Sequence, residues 1–126
     1  MRGVVLTTKL SLMTKKTLFQ KIIDREEPRD IIHEDDLCAA LRDINPQAPT
    51  HVLIVPRNPI PTLDDLTEKD EPLVGHLFLV AQKVAVQEGL TNGYRVVFNN
   101  GSDAQQRVAH IHLHLLDGRR MSWPPS

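Results

Sequence analysis

The sequence predicts a single α+β domain, built on a five-stranded antiparallel sheet with one short and one long helix. Apolar runs of strand length are interspersed with two segments of helical period, in the order αβββαββ. Short turns join successive strands, which favours antiparallel pairing because parallel pairing needs long crossovers. The length of 126 residues fits one small domain. We expect that domain to span residues 17–126, after a basic and disordered extension at residues 1–16.

Capping and breaking residues mark the ends of the two helices. The short helix is predicted at residues 17–25, with Thr17 as its N-cap and Pro28 as a stop. The long helix has apolar residues at helical spacing over residues 73–85, and Gly89 ends it. The predicted strands are residues 31–34, 38–44, 51–55, 94–98 and 108–116.

Composition excludes several classes of function. Because 15 basic and 16 acidic residues leave a net charge of -1, the chain has no broad positive field for nucleic acid or an acidic membrane. No apolar run approaches the roughly 18 residues that a membrane span requires. Cys38 is the single cysteine, so we expect a buried core residue and no internal disulfide. We expect a cytoplasmic protein, with nuclear or organellar locations also open.

The most informative segment alternates three histidines with apolar residues. Side chains of a strand alternate between its faces, so His110, His112 and His114 would share one face while their neighbours enter the core. His33 and His76 have no comparable spacing. We expect those two to face solvent or to pack against the helix.

Such a row of imidazoles could bind a metal or act in nucleophilic catalysis. On a regular strand His110 and His114 would stand about 13 Å apart. Zinc, with bonds of about 2.1 Å to nitrogen, could therefore take an adjacent pair but not all three rings. His51 or Asp117 could complete such a set, so zinc binding stays open, although we expect none for catalysis. A neutral imidazole, with a pKa near 6.5, is also a nucleophile, and His112 has a histidine on each side to orient it.

A polar loop before this strand suggests that the electrophile is phosphorus. Residues 99–102, Asn-Asn-Gly-Ser, can turn backbone N–H groups toward an anion. Arg107 adds positive charge beside the histidines. These groups together predict a phosphate site next to the nucleophile.

Three sequence blocks carry a family resemblance. They are His-x-His-x-His followed by two apolar residues at 110–116, Asp-Ile-Asn-Pro-Gln-Ala-Pro-Thr-His at 43–51, and the Trp-Pro-Pro tail at 123–125. With them, residues 17–126 resemble the histidine triad (HIT) nucleotide-binding family, and its Hint branch in particular. The resemblance implies a homodimer in which two five-stranded sheets join into one of ten strands.

The resemblance also implies a reaction. His112 would attack the α-phosphorus of an adenosine 5′-phosphoramidate, release the amine and form a nucleotidyl-histidine that water hydrolyses to AMP. His114 would contact the phosphate and assist the leaving group, while His110 and His51 hold the imidazole network. No cofactor is implied.

Further residues would bind the purine nucleotide. Asp43 would take the ribose hydroxyls, Ile44 and Phe19 would contact the base, and Trp123 would reach toward the partner subunit's site. The implied nucleotide-binding positions are Phe19, Asp43, Ile44, Asn99, Gln105, Gln106, Arg107, His112, Leu113, His114 and Trp123.

One departure from the family pattern bears on activity. Most relatives have Gly-Gln-Ser or Gly-Gln-Thr before the histidine strand, where this chain has Gln105, Gln106 and Arg107. A residue that resists positive φ replaces glycine, and a long cation replaces a small hydroxyl. This leaves open a nucleotide-binding adaptor with weak catalysis as an alternative to the enzyme. Dinucleoside polyphosphate hydrolysis is disfavoured by the Trp-Pro-Pro tail.

Overall fold

A computed structural model describes residues 15–125 of the chain. Five strands form one antiparallel sheet, which confirms the predicted fold class. The extension predicted at residues 1–16 lies, up to residue 14, outside the described residues. The strands are β1 (Ile31–Glu34), β2 (Cys38–Arg42), β3 (Thr50–Pro56), β4 (Arg95–Val97) and β5 (Leu113–Asp117). Their spatial order in the sheet is β1-β2-β3-β5-β4.

Two α-helices pack on the sheet. The short helix α1 (Leu18–Ile23) begins after Thr17, whose hydroxyl accepts a hydrogen bond from the backbone N–H of Gln20, as the capping prediction requires. The long helix α2 (Glu71–Gln87) is followed by Gly89, which takes the left-handed φ of 72° typical of a helix end. Two short 3-10 turns precede α2, at Leu63–Asp65 and Glu68–Asp70.

The sheet separates two apolar cores, one under each helix. Alternate residues of β3 enter opposite cores: Val52 and Ile54 pack with α2, while Leu53 and Val55 pack with α1. This double burial explains the nearly continuous apolar run of β3. None of the helices among residues 15–125 combines the length and the apolar composition that crossing a membrane requires.

The fifth strand is shorter than predicted. It begins at Leu113, whereas the alternating pattern predicted a strand over 108–116. The backbone N–H of Ile111 donates to Ile60 of a loop, and that of His110 donates to Val108, so neither joins the sheet. The expectation of three histidines on one strand face is therefore wrong, since His110 and His112 lie before the strand.

Two other strands differ from the prediction by smaller amounts at their ends. The second strand stops at Arg42 rather than at residue 44, because the Asp43 carboxylate accepts from the backbone N–H of Asn45 and forms a turn. The fourth strand covers three residues instead of the predicted five. The earlier end of the second strand places Asp43 and Ile44 in a loop beside the histidines.

Candidate active site

A cleft of about 580 Å³ opens on the α1 side of the sheet. Phe19 and Leu53, both members of the α1-side core, form its apolar wall. Nine residues predicted for catalysis or nucleotide binding are brought together there, and their roles remain predictions. Those nine are Phe19, Asp43, Ile44, His51, Asn99, Gln105, Arg107, His112 and His114.

The hydrogen bonds of His112 define its tautomer. Its Nδ1 lies 2.8 Å from the backbone oxygen of His110, which can only accept, so Nδ1 carries the proton. Neutral His112 therefore has a lone pair on Nε2. The rings of His112 and Phe19 pack in a T-shaped contact, with centroids 4.8 Å apart at an interplanar angle of 72°, which restricts the orientation of His112.

A second chain of hydrogen bonds defines the tautomers of His51 and His114. The backbone N–H of Gln47 donates to Nδ1 of His51 at 3.0 Å, so the proton of neutral His51 is on Nε2. That Nε2–H donates to Nδ1 of His114 at 2.9 Å. His114 consequently carries its own proton on Nε2, the nitrogen left for a ligand. The carboxylate of Asp43 lies 3.4 Å from Nε2 of His51.

His110 lies beneath the cleft rather than in its wall. Its side chain is fully buried, and its Nε2–H donates to the backbone oxygen of Pro56 at 2.7 Å. Its Nδ1 accepts from the hydroxyl of Thr17 at 2.6 Å, so the residue that caps α1 also binds the histidine segment. His110 thus joins α1 to the end of β3. Its ring also supports that of Phe19 through a T-shaped contact.

Burial holds all four rings in the neutral form at pH 7. It lowers the pKa of His112, of His110 and of His51, and the nearby Asp43 charge only partly opposes this for His51 and His112. Burial lowers the pKa of His114 to about 4, assisted by the neighbouring His112 and His51. The neutral form is what leaves a lone pair on Nε2 of His112.

Other predicted contacts are placed elsewhere. The side chain of Leu113 is fully buried in the α2-side core, so a side-chain contact with a nucleotide in the cleft is excluded. Gln106 turns its amide inward, donating to Pro61 and accepting from Gly101, and so braces the loop. The side chain of Trp123 is 81% exposed. Among residues 15–125, it is not one of those that line the cleft of its own chain.

Gln105 and Arg107, two of the residues that depart from the family pattern, lie at the rim of the cleft. Gln105 adopts a left-handed φ of 61°, the conformation that glycine allows without strain. Arg107 is exposed and lines the cleft. Arg29 also lines the cleft, although the sequence did not predict it as a site residue. Only the tertiary fold brings Arg29 to the rim, because it lies in the segment between α1 and β1.

Three side chains in the cleft could also ligate a metal. One donor atom each from Asp43, His51 and His114 lies within 4.8 Å of the others. His51 and His114 are however already joined by a hydrogen bond, and their tautomers suit proton donation. The zinc alternative at this position therefore has a geometric basis without being required by the site.

Comparison with known proteins agrees with this fold. The HIT domain family matches residues 24–121. An uncharacterized HIT-like protein of Synechococcus elongatus is 52% identical over 113 residues, covering 90% of this chain and 99% of that protein. The crystal structure of a HIT family hydrolase from Legionella pneumophila Philadelphia 1 superposes with a TM-score of 0.85 at 48% identity, covering 88% of this chain and 100% of the other.

A more distant structure has a name that mentions a ligand class. The histidine triad nucleotide-binding protein from Candida albicans gives a TM-score of 0.72 at 30% identity, covering 88% of this chain and 85% of that one. The chain belongs to the HIT domain family. Its fold is that of HIT family hydrolases.

Proposed function

We propose that this protein is a purine nucleoside phosphoramidase of the Hint kind, which hydrolyses adenosine 5′-phosphoramidates, and also acyl-adenylates, to AMP. The observation that carries the proposal is the pair of defined tautomers in the cleft. The lone pair on Nε2 of His112 lies on a ring 5.0 Å, centroid to centroid, from His114, whose Nε2 carries a proton. A nucleophile beside a hydrogen-bond donor is the arrangement that displacement of an amine from phosphorus needs.

The reaction has two displacements at phosphorus. Nε2 of His112 forms a bond to the α-phosphorus while the phosphorus–nitrogen bond breaks. The leaving nitrogen accepts a hydrogen bond from His114 as that bond breaks, takes up one proton from solvent and departs as the free amine. Water then attacks the phosphorus, the bond to His112 breaks, one proton of the water returns to solvent, and AMP and neutral imidazole result. The Nδ1–H of His112 donates to a fixed carbonyl throughout and stabilises the positive charge of the intermediate.

The walls of the cleft suit the two ends of a nucleotide. The purine would lie between Phe19 and Ile44, with the ribose hydroxyls on the Asp43 carboxylate. The phosphate would meet Asn99, the backbone N–H groups of residues 105–107 and the guanidinium of Arg107. The nucleotide-binding description of the Candida relative supports a ligand of this class.

We also propose that the protein forms a homodimer through α2 and β4. β4 is an edge strand of the sheet, and α2 exposes Phe78, Leu79 and Val86 at 51%, 56% and 77%. A second copy would pair with this edge, cover those side chains and bring the exposed Trp123 toward its site. Sedimentation equilibrium of the full chain, with Val86→Lys as the variant that should dissociate it, tests the assembly.

The decisive experiment replaces His112 by Asn. We expect turnover of an adenosine phosphoramidate to fall by about 10³-fold or more, because the nucleophile is lost, while AMP binding by calorimetry changes little. His33→Asn, at a histidine outside the cleft, is the matched control and should keep full activity. Rapid-quench mass spectrometry should find an AMP-sized adduct on the wild-type peptide 108–116 and none on the variant.

Two outcomes would contradict the proposal. Retention of wild-type hydrolysis in His112→Asn would remove His112 as the nucleophile. Tight AMP binding by the wild-type chain without adduct or turnover would favour the adaptor, for which the conformation of Gln105 and the long side chain of Arg107 give a structural basis.

A further inference from the structure

A second cluster of ligand-forming side chains lies on the other side of the molecule, between α2 and the β1–β2 turn. We call His33, Asp35, Cys38 and His76 the Asp35 cluster. Oδ2 of Asp35 lies 2.8 Å from Nε2 of His33 and 2.8 Å from Nε2 of His76. The Cys38 sulfur lies 3.8 Å from the same oxygen. Residues from β1, the turn, β2 and α2 thus converge on one carboxylate oxygen.

The backbone holds the carboxylate in place. Oδ1 of Asp35 accepts from the N–H groups of Leu37 and Cys38, at 2.8 and 2.9 Å, which leaves Oδ2 directed at the histidines. The side chains of His33, Asp35 and His76 are 21%, 28% and 26% exposed, so an ion from solvent can reach them. The Cys38 side chain is buried behind them. The cluster is therefore open on one side and closed by the thiol on the other.

The donor atoms are two imidazole nitrogens, one carboxylate oxygen and one sulfur, a set that zinc binds tetrahedrally. With zinc–nitrogen and zinc–oxygen bonds of about 2.1 Å, neighbouring N and O ligands lie roughly 3.4 Å apart. Nε2 of His33 would have to move about 0.6 Å away from Asp35, a small change for a partly exposed ring. His76, whose Nε2 is placed against Asp35 alone of the other three residues, would have to turn toward His33 and Cys38 to complete the set. Donor atoms of His33, Asp35 and Cys38 already lie within 4.8 Å of one another.

We propose that the Asp35 cluster binds one zinc ion, which ties the β1–β2 turn to α2. On binding, the thiol of Cys38 releases its proton to solvent. The proton of each ring moves from Nε2 to Nδ1, so that Nε2 can ligate the metal. The site lies apart from the cleft and takes no part in the displacement at phosphorus.

The chain has one cysteine, which allows a specific optical test. Cobalt(II), used as the probe for zinc, gives a near-ultraviolet thiolate-to-metal absorption band only when a cysteine ligates it. The other candidate group, Asp43 with His51 and His114, contains no sulfur. A thiolate band with bound cobalt therefore reports the Asp35 cluster alone.

The experiment titrates cobalt(II) into the metal-stripped full chain and then adds zinc. We expect one equivalent to develop the thiolate band with tetrahedral visible bands, and zinc to abolish both. His33→Asn and His76→Asn should each weaken binding at least about tenfold, whereas His51→Leu in the cleft should leave the titration unchanged. Zinc should also raise the thermal midpoint of the wild-type chain, and much less that of His33→Asn.

Three results would overturn the proposal: no thiolate band with excess cobalt on the wild-type chain, a band unaffected by both histidine variants, or a band lost in His51→Leu. The first does not depend on whether any variant folds. Circular dichroism of His33→Asn, whose side chain is partly exposed, separates loss of a ligand from loss of the fold.

Discussion

Two groups of histidines in this molecule differ in what their rings bond to. The rings at and beneath the cleft, His51, His110, His112 and His114, bond to backbone groups, to a hydroxyl and to one another. Among residues 15–125, the carboxylate close to these rings is that of Asp43, 3.4 Å from His51. In the Asp35 cluster, His33 and His76 both donate to a single carboxylate oxygen at 2.8 Å. The hydrogen bonds of the cleft histidines run mainly between neutral groups, whereas those of His33 and His76 end on the charged carboxylate of Asp35.

The difference has consequences for protonation. In the cleft, burial outweighs the attraction of Asp43 and lowers the pKa of the rings, which keeps them neutral. At Asp35, burial alone would raise the carboxyl pKa, yet hydrogen bonds from His33, His76 and two backbone N–H groups lower it well below its usual range. Burial, together with that fixed charge, raises the pKa of the Cys38 thiol to about 12. The first environment leaves a lone pair on a neutral ring; the second stabilises an anion.

Of the substitutions that test this difference between the two histidine groups, we expect the largest effect, on catalysis, from His51→Leu. In His51→Leu, His114 loses the donor that fixes its tautomer, so its proton is no longer held on the nitrogen facing the cleft. We expect kcat for an adenosine phosphoramidate to fall by about 10²-fold, with AMP affinity nearly unchanged. Steady-state kinetics and calorimetry give the two numbers. His76→Leu is the control in the other group, and an equal loss there would show that the effect is structural.

The next effect is on stability and concerns Asp35. Asp35→Asn keeps the side-chain shape but replaces an anion that accepts five hydrogen bonds, four from N–H groups and a longer one from the Cys38 thiol. We expect it to lower the free energy of unfolding by about 2–3 kcal/mol near pH 7. Because the pKa of Asp35 is lowered by folding, its stabilisation is present above the unfolded-state pKa near 3.9 and is lost as the pH falls toward the folded value.

Urea unfolding at several pH values tests both parts of this expectation. The difference between wild type and Asp35→Asn should shrink below about pH 4. The exposed neighbour offers a matched control, Asp36→Asn, which should change stability by less than about 0.5 kcal/mol. A pH-independent difference, or an equal loss in the control, would contradict the assigned role of the carboxylate.

The contrast also explains what the sequence could predict. The apolar alternation of Leu113 and Leu115 follows from local pattern, as does the choice of His112 as candidate nucleophile, whereas the role predicted for His114 rests on the family resemblance. The fold class follows from element order. The convergence of Asp35 and His76 does not, because 41 positions separate them and only the packing of α2 joins them. The strand error at His110 has the same cause, since its ring is bonded to Thr17 and Pro56, far away in sequence.

The smallest effect expected is at the rim of the cleft, where strain is local. Gln105 holds a φ of 61° while its side chain is exposed, so a glycine there would relieve the backbone without removing a buried contact. We expect Gln105→Gly to raise the free energy of unfolding by about 0.5–1 kcal/mol, measured by urea unfolding. Ala104→Gly, next to it and without a positive φ, should have the opposite sign, because glycine there only adds entropy to the unfolded chain. Destabilisation by both glycines would mean that the side chain of Gln105 stabilises the rim more than its backbone conformation costs, which would contradict this prediction.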